Sequence, residues 1–120
     1  MMELYIGGYA EPGKNGVLKC VFDGEHVNVI DSNDELYDPS WVFHHPSKTL
    51  LYAVEALPLE GNLAVLSEVD GHLKLLTKVS TKGAAPCHIS MPPDARQLHV
   101  SAVSEDWWGF QRFTWSCGGG

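Results

Sequence analysis

A chain of 120 residues, 44 % hydrophobic and 19 % charged, has the size and composition of one folded domain rather than of a disordered segment. Its net charge of −7, with eight basic residues that nowhere cluster, excludes a nucleic-acid backbone as the main partner. No apolar run approaches the roughly 20 residues of a membrane span.

The N-terminal MMELYIGGYA carries neither the basic nor the apolar region of a secretory signal, so a cytoplasmic protein is expected. Gly7-Gly8 precedes no helical pattern and is no phosphate loop; it makes a turn or admits close backbone approach. GVLKCVFDGEHVNVI (16–30) reads as a β-hairpin around Asp23-Gly24, a pair that tolerates positive φ. WVFHHPSKTLLYAVEA (41–56) reads as strand, proline-containing turn and strand. GNLAVLSEVDGHLKLL (61–76) is a second hairpin, around Asp70-Gly71, one residue shorter after its turn. HISMPPDARQLHVSAV (88–103) is again strand, proline turn and strand. No segment holds a helical period.

These elements form a repeat. At an offset of 47 residues Pro39 falls on Pro86, Pro46 on Pro93, Leu51 on Leu98, Trp41 on His88, and Asp23-Gly24 on Asp70-Gly71. Four short strands per unit at this period are the signature of propeller blades. A β-sandwich also has many short strands, but it gives no reason for the echo. The expected fold is therefore all-β, a β-propeller fragment of about two and a half four-stranded blades. Closed propellers need roughly four to eight. Open blade faces would expose apolar surface and strand edges, so self-association through them is expected.

YIGGYA (5–10), GVLKCVFD (16–23), PSWVFHHPSKTLLYAVEA (39–56) and above all GAAPCHISMPPDARQLHVSAV (83–103) carry a family resemblance. The chain resembles the N-terminal part of the seven-bladed β-propeller lactonases, which include cytoplasmic 6-phosphogluconolactonases and carboxy-muconate cyclases. The resemblance implies seven blades in a complete member, of which residues 1–103 would be the first. It also implies lactone hydrolysis without metal or other cofactor, on a small anionic sugar lactone. Cyclase-type chemistry is the enzymatic alternative, and a non-catalytic binding propeller is the other, since fold does not fix function. Residues 104–120 depart from the family pattern. Trp107-Trp108-Gly109 must be encoded TGG TGG GGN, and read one base later this begins Gly-Gly, as the family's turn would. A reading-frame change near Glu105, a genuinely divergent end or a cut at a sequence boundary are the origins expected for this tail, and the 120-residue product is expected to be inactive.

Within Pro-Cys-His, neighbouring strand positions face apart, so Cys87 and His88 do not form a nucleophile–base pair. Cys87 aligns with Ser40 and is expected to be a small packed residue. His88 begins the strand expected nearest the central channel, and the resemblance places it among residues lining the active site, where imidazole would activate water. Glu55 sits at a strand end, either as a channel-facing, substrate-binding carboxylate or as a solvated one. Arg96 is the candidate substrate-binding cation, its fork matching phosphate or carboxylate; as a turn residue it would serve structure instead. Further cations are expected in blades outside this chain. His44-His45 resembles a metal pair, but no third ligand stands at useful spacing. Cys20, Cys87 and Cys117 are odd in number and widely spaced, as reduced thiols would be.

Overall fold

A computed structural model describes residues 2–94, 96–103 and 110–116. The described residues form ten antiparallel strands in three sheets. The first sheet has β1 (Met2–Gly7), β2 (Val17–Phe22) and β3 (Val27–Asn33) in that order. The second is four-stranded, with β4 (Val42–His44), β5 (Leu50–Glu55), β6 (Asn62–Val69) and β7 (His72–Ser80). The third has β8 (Ala84–Ser90), β9 (Gln97–Val103) and β10 (Phe110–Ser116). The expected departure after Val103 falls partly on residues 104–109 and 117–120, outside the described residues; between them, β10 pairs with β9 and extends the third sheet.

The sheets stack face to face, and this explains the hydrophobic pattern. The middle blade is covered on both sides, so LLYAV of β5 and LAVL of β6 are continuous apolar runs without alternation. Leu51, Ala53, Ala64 and Leu66 pack toward the first blade with Val17 and Leu36. Tyr52, Val54, Leu63 and Val65 pack toward the third with Ile89, Leu98 and Val100. Burial of two such layers is the main apolar contribution to this fold.

The equivalence of the blades extends into backbone detail. Asp38 and Ala85, 47 residues apart, share a left-handed backbone with φ 44°. Their amides donate to Ala10 O at 2.6 Å and Leu57 O at 2.8 Å, acceptors that are again 47 apart. The prolines that follow, Pro39 and Pro86, lie against Gly16 and Gly61 of the preceding blade. The outer strands also share a bulge, which throws Ile30 of β3 and Leu76 of β7 outward. By the same offset Leu4-Tyr5 of β1 matches Leu51-Tyr52 of β5, so β1 holds the second position of its blade.

The two Asp-Gly turns differ. Asp70 and Gly71 both take positive φ, 52° and 80°, as a two-residue hairpin requires. In the longer hairpin only Gly24 does, and Asp23 Oδ1 instead accepts the amides of Glu25 and His26 at 2.8 and 2.7 Å.

A Cβ added at Gly61 would sit 2.1 Å from Pro86 Cδ and 2.7 Å from Glu55 O. Gly61→Ala is therefore expected to lower stability by about 1–3 kcal/mol through overpacking between blades. A urea titration that leaves the midpoint unchanged would show that the blades yield there without strain.

Candidate active site

The segment that delivers His88 is held along its length. Gly61 N donates to Gly83 O at 2.8 Å, Thr81 Oγ1 donates to the carbonyls of Gly61 and Gly83 at 3.1 and 3.2 Å, and Ala85 N reaches Leu57 O. Pro86 is buried on Gly61. Pairing of β8 with β9 shifts register between Ala84 and His88 and resumes with His88 opposite Ser101. The strand thus begins at Ala84, ahead of the start at His88 expected from sequence, as an anchored, bulged lead-in. Cys87 is exposed, not packed, with its thiol 3.7 Å from Ser101 O. It lies within the register shift that separates Ala84 from His88.

His88 is exposed, and its ring lies 4.7 Å from that of Trp41 at an interplanar angle of 52°. Trp41 is its counterpart in the repeat, delivered to the previous blade by the same device. Its carbonyl accepts Val54 N at 3.1 Å, which aligns it with the inner edge of the middle blade. The first strands of two successive blades therefore place an indole and an imidazole side by side, open to solvent.

Glu55 is buried rather than solvated. It is 2 % exposed, and its carboxylate accepts Tyr37 N at 2.9 Å, Asn62 Nδ2 at 2.9 Å and Lys78 Nζ at 3.0 Å. Tyr37 belongs to the connection that leads to Trp41, so Glu55 ties that connection to the middle blade. Arg96 is exposed in the turn before β9, where its amide donates to Asp94 Oδ1 at 3.1 Å. The structure does not bring Arg96 and Glu55 into contact with His88.

His44 and His45 part company. His45 is buried, its Nδ1 accepting the amides of Ser47 and Lys48 at 3.0 and 3.1 Å in the proline turn. His44 stacks on Tyr5 with ring centres 5.0 Å apart and lies 3.4 Å from Glu68. No group of three metal-ligating side chains occurs among the described residues.

That His44 contact belongs to a polar cluster between the first and middle blades. Lys19 of β2 is 4 % exposed at its side chain and pairs with Glu68 of β6, 11 % exposed, which also accepts the Tyr5 hydroxyl. Burial pushes Glu68 upward, but the donors Lys19 and Tyr5 and the Lys19 charge together hold it below the usual carboxylate range. Burial, with the Glu68 carboxylate beside it, pushes the Tyr5 hydroxyl well above its ordinary value. The cluster joins the first and middle blades.

Residues 3–105 match the model of the family described as lactonase, 7-bladed beta-propeller. The chain belongs to this lactonase family. A curated 6-phosphogluconolactonase of Bacillus subtilis (strain 168) is 25 % identical in a match over 85 % of this chain and 33 % of that protein. The solved structure of a candidate 6-phosphogluconolactonase from Bacteroides uniformis superposes over 99 % of this chain and 35 % of its own, with a TM-score of 0.77 and 25 % identity. The periplasmic gluconolactonase of Pseudomonas aeruginosa shares the fold, with a TM-score of 0.70 at 23 % identity, over 85 % of this chain and 31 % of its own. This lactonase chain thus spans about a third of the length of the relatives it matches, and its three sheets are part of a propeller.

Proposed function

We propose that this chain supplies consecutive blades of a lactonase ring that opens a sugar lactone, phosphorylated as in the 6-phosphogluconolactonases it is similar to, and that His88 is the general base. The observation that carries the reading is the exposed imidazole at the open inner edge of its blade, at the end of a doubly anchored lead-in, in a chain of the lactonase family. Imidazole exchanges protons near neutral pH. His88 takes a proton from water as the water oxygen bonds to the ring carbonyl carbon. The tetrahedral oxyanion then collapses, the acyl–oxygen bond of the ring breaks, and the imidazolium returns its proton to the departing hydroxyl. Trp41 beside it offers an apolar face on which a sugar ring can rest. The cations for an anionic substrate are assigned to Arg96 and to blades beyond these. Two thiols free in the structure, Cys20 and Cys87, suit the cytoplasm as the compartment.

The test replaces the matching third of the Bacillus subtilis relative with residues 2–103 and follows hydrolysis of 6-phosphogluconolactone. The chimaera is expected to be active, and His88→Ala to lower its kcat by about 10²–10⁴-fold with circular dichroism unchanged. Unaltered turnover in His88→Ala would remove this residue from the mechanism. The 120-residue chain alone is expected to be inactive.

A further inference from the structure

A histidine that takes a proton from water works only when its ring is held toward that water. In hydrolases of the triad type a hydrogen bond to the second ring nitrogen does the holding. Among the described residues the His88 imidazole has neither such a bond nor an ion pair. What it has is the indole of Trp41, ring centre to ring centre 4.7 Å at an angle of 52°.

That indole stands on a fixed mount. Trp41 follows the left-handed Asp38, whose amide is pinned to Ala10 O at 2.6 Å, and Pro39, which lies against Gly16. Its own carbonyl accepts Val54 N at 3.1 Å. His88 follows the left-handed Ala85 and Pro86 in the same manner, with Ala85 N on Leu57 O at 2.8 Å and Pro86 against Gly61. A non-glycine residue keeps a left-handed backbone only where its surroundings over-determine it, and here that holds at both mounts. The two backbones are thus held apart at a set distance, and the imidazole keeps only its own side-chain torsions. The indole bounds those. Tilted aromatic rings at this separation attract, and the imidazolium formed during the reaction is a cation beside the same electron-rich ring.

We infer that Trp41 is the positioning residue of His88: the indole of one blade, and not a hydrogen bond, sets the direction of the imidazole of the next. The inference rests on His88 being the general base proposed above. Both rings, and the backbone that mounts them, lie within this chain.

A substrate-free measurement on the 120-residue chain tests the contact itself. The His88 Cε1 proton, assigned by its loss in His88→Ala, should resonate at a position displaced by the indole ring current. Trp41→Leu should abolish the displacement, and Trp41→Phe should keep part of it. A resonance unmoved by Trp41→Leu would overturn the inference. Trp41 is 41 % exposed, so its truncation spares the core, which unchanged circular dichroism verifies. In the lactonase chimaera, Trp41→Leu should lower kcat about tenfold, and Trp41→Phe should restore most of it. In a His88→Ala background Trp41→Leu should cost nothing further in kcat, because the indole acts through the imidazole. A penalty that persists there would show Trp41 acting on the substrate directly. A rise in KM with kcat unchanged would confine Trp41 to resting the sugar ring. Either result overturns the positioning role. Full turnover in His88→Ala beside an intact ring-current displacement would instead overturn the general-base reading and leave the ring contact standing.

Discussion

Glu68→Ala is expected to destabilise the fold by about 3–5 kcal/mol, because it strands a buried ammonium. Lys19 has almost no water contact, and Glu68, together with the distant and exposed Glu3 at 3.9 Å, supplies the negative charge near it. The position is apolar in the next blade: Lys19 lies opposite Tyr5 as Val65 lies opposite Tyr52. The double variant Lys19→Leu/Glu68→Leu should therefore recover most of the loss, since a hydrophobic replacement of a buried pair is often neutral or better. Urea midpoints of the single and double variants decide the matter, and a double variant no better than Glu68→Ala would argue against it. The same carboxylate gives a pH signature. Its folded pKa lies below its unfolded value, so its contribution is fully present above the ordinary glutamate value of about 4.3 and is lost as pH falls through the folded one. Wild-type stability should hold between pH 5 and 8, with respect to this group, and decline in more acid solution; in the double variant that part of the decline should vanish.

Glu55→Ala should remove about 3 kcal/mol, through three donors that lose their acceptor. Tyr37 N and Asn62 Nδ2 are then left without a partner in the interior, while Lys78, more exposed, turns to water. Glu55→Gln keeps an acceptor and should be milder, near 1 kcal/mol. The local consequence is a loosened connection into the strand that begins after Trp41. Amide exchange at Tyr37 should accelerate in both variants, more in Glu55→Ala, beyond any change in global stability. If Glu55→Gln kept full stability and instead weakened substrate binding in the lactonase chimaera, the carboxylate would have to face the ligand.

The blade pattern was legible because it repeats: Pro39 and Pro86, Leu51 and Leu98, and the Asp-Gly turns fall at matching places in matching sheets. Trp41 and His88, aligned by the same offset, do meet, although alignment alone could not show that successive inner edges would bring the two rings together. The fates of Glu55 and Lys19 were hidden for one physical reason. Local alternation marks a strand's own faces, but burial here is decided by the neighbouring blade. VLKCVF looks like a strand with one face wet, and the middle blade covers that face and supplies Glu68 from 49 residues away. The signal that would have found it is Lys19 standing where the repeat places an apolar residue. Cys87 was misjudged because a bulge leaves no mark in composition.

The two glycine–proline contacts between blades, Gly16 on Pro39 and Gly61 on Pro86, also have a geometric consequence. A seven-bladed ring closes only if each blade turns by a seventh of a circle from the one before. Any departure is multiplied by the number of steps. A missing Cβ at both junctions lets the proline of the following blade lie directly against the preceding sheet. An added methyl there would open the wedge at every junction that carried it. The same small contact thus recurs at both junctions between the three blades.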